Sequence, residues 1–209
     1  EISNLNRMKA TLLDVGMKKT EVAARNVWEI DPFAEISIFE SGVNEKNIKD
    51  FILKNPKLDI FIDEMDSIPM KIISRRICRA HKIPVLMVTD NGNSIILDIE
   101  RFDREPKRKL LHGRMEHIDP QEVRTLDFKS WVKIANRIVG IEPLEKRMKQ
   151  SMVQIGKTLS GIPQLGTSAL VGACAAAFVV RSIANDEPMR SGRYHIGFEN
   201  VFGAKKPST

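Results

Sequence analysis

Apolar side chains in the first half of the chain recur at two alternating periods. Val22, Ala23, Val27 and Ile30 share one face of a 3.6-residue repeat, which predicts a helix over residues 19–30, ended by Pro32. Glu35-Ile36-Ser37-Ile38-Phe39 then alternates polar and apolar, the two-residue period of a strand. Residues 47–53 predict a short helix and residues 59–62 a short buried strand. Helical spacing returns over residues 67–81 through Ile68, Ile72, Ile73, Ile77 and Ala80, and apolar strands follow at 83–88 and 94–99. Short apolar strands separated by helices imply the α/β class, with a mainly parallel sheet covered by helices.

The pattern changes after Arg101. Residues 104–114 (REPKRKLLHGR) are basic and aperiodic, which predicts a loop. Helices are expected over 128–139, around Trp131, Ile134, Ala135 and Ile138, and over 144–155 and 168–183. Residues 192–198 return as a strand and 205–209 form a frayed tail, so the C-terminal part is the more helical one. The run from Ala169 to Val180 is small and apolar but closes at Arg181 after twelve residues. Crossing a bilayer takes about 20 apolar residues, so a buried helix and no membrane partner are expected. Gly172 and Ala176, four apart, would let another backbone approach that helix closely.

Composition narrows the class without naming a chemistry. The 209 residues suit one domain, or one domain plus an appendage, and 42% hydrophobic with 29% charged residues leaves room for a sizeable core. A net charge of +6 favours acidic partners such as nucleotides, nucleic acid or anionic protein surfaces. Cys78 and Cys174 are too far apart for a paired zinc clamp and too few for a disulfide framework, which points to a reducing, cytoplasmic setting. Arg75, Arg76 and Arg79 around Cys78 would lower its thiol pKa, but its phase with Ile73 and Ile77 makes it a core residue. His81, His112, His117 and His195 lack metal-ligand spacing; His112 and His117 read as surface histidines beside the basic loop, with a substrate contact as the sharper reading.

Candidate chemistry lies in three short segments. Asn4 and Arg7 are three apart, so one helical turn puts them on one face, and the arginine fork suits phosphate oxygens. Lys19 stands at the start of a predicted helix, where free N–H groups favour anions. Asp66 follows a predicted strand and precedes a helix, the place where ligands gather in α/β sheets, and its oxygens suit magnesium. Taken singly, Asp66 also reads as a helix N-cap and the cations as solvated side chains. The case rests on the ordered set.

Ser3-Asn4-Leu5-Asn6-Arg7, then Gly16-Met17-Lys18-Lys19, then Asp63-Glu64-Met65-Asp66-Ser67 together resemble the nucleotide site of the ThiF/MoeB/HesA, ubiquitin-activating-enzyme-like superfamily. The resemblance covers roughly residues 1–99. It implies a Rossmann-like fold, ATP and Mg2+ as cofactors, and adenylation of a substrate carboxylate. Asn4, Arg7 and Lys19 would contact the phosphates, Asp66 would hold magnesium, and Val43 would line the adenine pocket; Arg7, Lys19 and Asp66 carry the catalytic roles. It further implies one ThiF-type domain over 1–209, with residues 1–103 as the nucleotide half and 104–209 as basic loop and C-terminal helices. A homodimer is usual in that family.

Three departures qualify the match. Met8 stands where the family has glutamine. The family's glycine-rich loop and ribose-binding aspartate are expected upstream of Glu1, so their βα unit is missing from this stretch. The family's zinc-binding cysteine pairs are absent, and Cys174 inside the apolar helix supplies no evident thioester. The expectation is therefore an acyl-adenylate formed without a cysteine relay, on the carboxylate of a carrier-protein C-terminus, a peptide or a modified nucleoside. Two alternatives stay open: a catalytically inactive relative that binds nucleotide or a partner, and a tRNA threonylcarbamoyladenosine dehydratase-like enzyme. In the latter, Arg104, Lys107, Arg108, Lys109 and Arg114 would contact nucleic-acid phosphates.

Overall fold

A computed structural model describes residues 2–140, 144–198 and 202; the tail over 205–209 lies outside them. Among the described residues one sheet has four strands in spatial order β1 (Phe61–Ile62), β2 (Val85–Asn91), β3 (Ser94–Glu100) and β4 (Gly192–Gly197). β1 and β2 run parallel, joined by helix α3 (Ile68–Ala80), as a crossover requires. β2–β3 and β3–β4 are antiparallel. The α/β class holds, but the sheet expected to be mainly parallel has, among the described residues, one parallel junction and two antiparallel ones. The reason is local: Gly92, at a φ of 66°, opens a two-residue turn that sends β3 straight back along β2.

The helices α1 (Lys19–Trp28), α2 (Ile48–Leu53), α5 (Phe128–Val139) and α7 (Gly166–Ala184) fall where apolar spacing places them. α6 (Lys146–Met152) is shorter than its predicted span, and α4 (Pro120–Arg124) was not anticipated. Asp119 caps α4 by accepting from Gln121 N, with Pro120 at its first turn. Residues 35–39 are extended but are not a strand: no described strand pairs with them, and alternation without a ladder partner makes no sheet. Phe39 is instead held by an edge-to-face contact with Phe51, ring centres 5.0 Å apart.

β2 alternates between two cores, with Val85 and Met87 in one and Leu86 and Val88 in the other. Ile95, Leu97 and Ile99 pack with Leu86 against α7, through Val171, Ala175 and Val179. The opposite face meets α2, α3 and α5 through Ile52, Phe61, Ile72, Met87 and Ile138. α7 approaches so closely that a Cβ on Gly172 would lie 2.6 Å from Val88 Cγ1, so the close neighbour is a side chain of β2 and not the backbone expected. At 19 residues α7 outruns the expected span of 168–183, and by length and composition alone it could cross a membrane; 22% of its apolar 18-residue window is buried, which corrects the expectation of a buried helix.

Candidate functional site

A cavity of about 900 Å³ opens at the carboxyl end of β1 and β2, between the N-terminal segment, the start of α3, and helices α5, α6 and α7. Its charged lining residues are Arg7, Glu64, Asp66, Lys71 and Asp90. Arg7 is held by the segment that precedes it. Its Nη2 donates to Asn4 Oδ1 at 2.9 Å, and its Nη1 donates to Ser3 O and Asn6 Oδ1, both at 3.0 Å. Asn6 Nδ2 in turn donates to Gln164 O at 2.9 Å, tying this segment to the residues before α7. Asn4 thus orients the guanidinium that lines the cavity but does not line the cavity itself.

Asp66 is exposed and lines the same cavity. The N-cap of α3 is Ser67, so the capping alternative for Asp66 does not hold. Lys19 lies exposed at the start of α1, and Val43 packs beside the α2 core; neither lines the cavity. The structure therefore brings Arg7 and Asp66 to one cavity, places Asn4 behind Arg7 without lining that cavity, and leaves Lys19 and Val43 apart from them.

Three cavity residues were not singled out from the sequence. Lys71 lies on the first turns of α3, with Nζ 3.2 Å from both oxygens of Asp63. Asp63 is fully buried and also accepts from Arg75, whose Nε donates to Glu100 Oε2 at 2.6 Å. Glu100 Oε1 then accepts from Leu111 N at 2.7 Å. Burial opposes ionisation of Asp63, but Arg75 and Lys71 outweigh it and hold its carboxyl below the usual range. Burial lowers the Lys71 pKa, only partly offset by Asp63. Glu64 keeps solvent on its open side, yet desolvation pushes its carboxyl up to about 7 against the hydrogen bond from Val88 N. Burial likewise raises the Asp90 carboxyl, which Ser168 and Arg7 partly restore. The signal available in the sequence was position: Glu64 follows β1, Lys71 is in the first turns of α3 and Asp90 is near the carboxyl end of β2, where ligands gather.

Other candidates resolve differently. Cys78 is fully buried and burial pushes its thiol up to about 12, beyond what Arg75 recovers, so it is a core residue as its phase implied. Cys174 lies exposed on α7, a correction to its expected burial in an apolar helix. His112 is not a surface histidine: Nε2 sits 2.8 Å from the buried Asp98 Oδ1 and Nδ1 2.8 Å from Arg108 Nη2. His117 is exposed. In the basic loop Arg104 pairs with Asp186, Arg108 with Glu105, and Arg114 donates to Arg137 O.

The donor set suits a magnesium-bound phosphate. A guanidinium and an ammonium supply N–H donors, and carboxylate oxygens are the hard ligands magnesium prefers. Among the described residues no group of three or more His, Cys, Asp or Glu could hold a metal by itself. Magnesium sites of this kind use one or two carboxylates and take the rest from phosphate and water.

A sheet flanked by helices, with its cavity at the strands' carboxyl ends, defines a Rossmann-like α/β domain. Residues 1–193 match the ThiF family, and the chain belongs to it. The chain is 36% identical over 196 residues to the uncharacterized protein MT1398 of Mycobacterium tuberculosis (strain CDC 1551 / Oshkosh), covering 94% of this chain and 27% of that protein. It is 25% identical over 122 residues to the tRNA threonylcarbamoyladenosine dehydratase of Escherichia coli (strain K12), covering 55% of this chain and 45% of that one. The chain thus spans less than half the length of either relative. The fold is similar to that of PaaA in its selenomethionine form, at a TM-score of 0.57 and 17% identity over 96% of this chain and 58% of PaaA. It is also similar to E. coli MccB solved with MccA-N7isoASN, at a TM-score of 0.53 and 14% identity over 94% of this chain and 54% of MccB.

Proposed function

We propose that the protein containing this chain is an ATP-dependent adenylyltransferase that activates a substrate carboxylate as an acyl-adenylate. The observation that carries this reading is the convergence of Arg7 and Asp66, far apart in sequence, on one cavity in a ThiF-family fold. A carboxylate oxygen of the substrate attacks the α-phosphorus of ATP, the bond to the β-phosphate oxygen breaks, and pyrophosphate leaves with both electrons of that bond. Arg7, steadied by Asn4, stabilises the negative charge that builds on the phosphate oxygens. Asp66 offers an oxygen ligand to magnesium, which neutralises charge on the phosphates when bound. Lys19 and Val43 are assigned to the phosphates and the adenine, respectively, on the family pattern alone.

No step in this reading uses a cysteine. The buried Cys78 thiol, raised to about 12, supports that. The exposed Leu13 and Phe33 offer apolar surface for self-association, and a cytoplasmic homodimer is part of the proposal. Of the cations in the nucleic-acid alternative, Arg104, Arg108 and Arg114 are engaged within the chain while Lys107 and Lys109 are exposed, so that alternative keeps part of its set.

The test is carboxylate-dependent ATP–pyrophosphate exchange in the full-length protein. Arg7→Ala and Asp66→Ala should each lower exchange by about 100-fold or more, the usual loss when a preorganised charge contact is removed. Exchange that survives both substitutions overturns the assignment.

A further inference from the structure

The charged residues that line the cavity all come from the N-terminal segment, the β1–α3 region and strand β2. The wall that α5 and α6 supply includes Trp131, Ala135, Ile138, Met148 and Met152. No Asp, Glu, Lys or Arg of those two helices lines the cavity, and Asn136 is the polar side chain they contribute. This wall is fixed. Asn93 N donates to Glu145 Oε1 and Oε2, both at 3.2 Å, and Glu145 N donates to Asn91 Oδ1 at 3.2 Å. The β2–β3 turn thus pins the start of α6 over the cavity. Methionine adds adaptability: the unbranched thioether side chains can fit apolar bodies of different outline.

A nucleobase would leave most of its ring nitrogens and amino group unmatched against such a wall. A charged or strongly polar acyl group would lose hydration there without a partner. We propose that the cavity selects a carboxylate carried on an apolar body, with the carboxylate at the Arg7 end and the aliphatic or aromatic portion between α5 and α6. The adenylation reading supplies only what happens to the carboxylate; the selection stands on the shape and chemistry of the wall. The body could belong to a free acid or to the last residue of a peptide, since both present the same chemistry.

Binding and turnover separate the two ideas. Binding of octanoate and propionate to the full-length protein is measured by titration calorimetry, beside a tetrapeptide ending in leucine and one ending in aspartate. Each buried methylene should tighten binding by roughly three- to four-fold, so octanoate should bind at least about 100-fold tighter than propionate. If the physiological body is a peptide end, the leucine peptide should exceed both octanoate and the aspartate peptide; if it is a free acid, octanoate should exceed both peptides. Met152→Lys should erase the preference for octanoate, and Ala135→Leu, which fills the chamber without adding charge, should reduce it. Arg7→Ala should weaken propionate and octanoate by the same factor.

Equal binding of octanoate and propionate, or tighter binding of the aspartate peptide, overturns the proposal even if ATP–pyrophosphate exchange is found. Selective binding of the apolar carboxylate with no exchange would sink the adenylation reading and leave this one standing.

Discussion

Arg75 has no solvent on its side chain and is held between Asp63 and Glu100, so its charge is neutralised wholly by protein. Removing one member of a buried pair leaves the others uncompensated. Arg75→Ala should therefore cost about 3–5 kcal/mol, measured as a fall in the urea midpoint at unchanged slope. The opposite sign applies to Glu64. Its carboxyl, raised to about 7 by burial, favours the folded state most when protonated. That contribution is full below the unfolded value of 4.5 and is lost as pH rises through about 7. Glu64→Gln keeps an acceptor for Val88 N. It should be near neutral at pH 4 and stabilising by about 1 kcal/mol at pH 8, a figure reduced for screening on the open side. A benefit that did not grow between those two pH values would show that Glu64 is not desolvated. Neither role could be read from sequence, because both depend on what the rest of the chain brings beside the carboxylate.

Elements were more legible than their pairing. Helical spacing at Ile68, Ile72 and Ile77 located α3, and small residues from Ala169 onward located α7, because burying an apolar face imposes its own period. The same rule misled at residues 35–39, where alternation is present and a partner strand is not. It also left the Asp98 and Glu100 face of β3 unread. Alternate charged residues normally face water, but here both are buried, because Arg75 and Arg193 reach them from α3 and β4. The missed α4 carried a usable signal in Asp119-Pro120, a cap followed by a first-turn proline. Gly172 tests the packing of α7. Gly172→Leu must push the helix off Val88, and overpacking of this kind should lower stability by about 1–3 kcal/mol. Ala177→Leu, exposed on the same helix and away from the cavity, should change stability by less than about 0.5 kcal/mol. Equal thermal unfolding midpoints for the two variants would mean that the close approach carries no weight.

At the scale of the whole molecule, Asp98 joins the sheet to the more helical C-terminal part. From β3 it accepts from Arg193 Nε at 2.7 Å and Nη2 at 2.8 Å on β4, and it meets His112 Nε2 at 2.8 Å from the turn Leu110–Gly113. Arg193 also donates to Ile138 O and Val139 O, which fastens the end of α5. One buried carboxylate therefore links the sheet to the helix that carries the apolar wall of the cavity. Burial opposes its charge, but His112 and Arg193 outweigh that and hold its pKa below 3.8. A depressed folded pKa stabilises above the unfolded value and fades as pH falls through the folded one. Asp98→Asn should thus lose about 3–5 kcal/mol at pH 7, since Arg193 keeps its burial and loses its counter-charge. The difference from the parent protein should hold down to about pH 4 and shrink below it, as the native carboxylate itself becomes protonated. Loosening the end of α5 should also blunt any preference for octanoate over propionate. A variant that unfolds at the parent's urea midpoint at pH 7 would show that the sheet and the cavity wall are held together by packing alone.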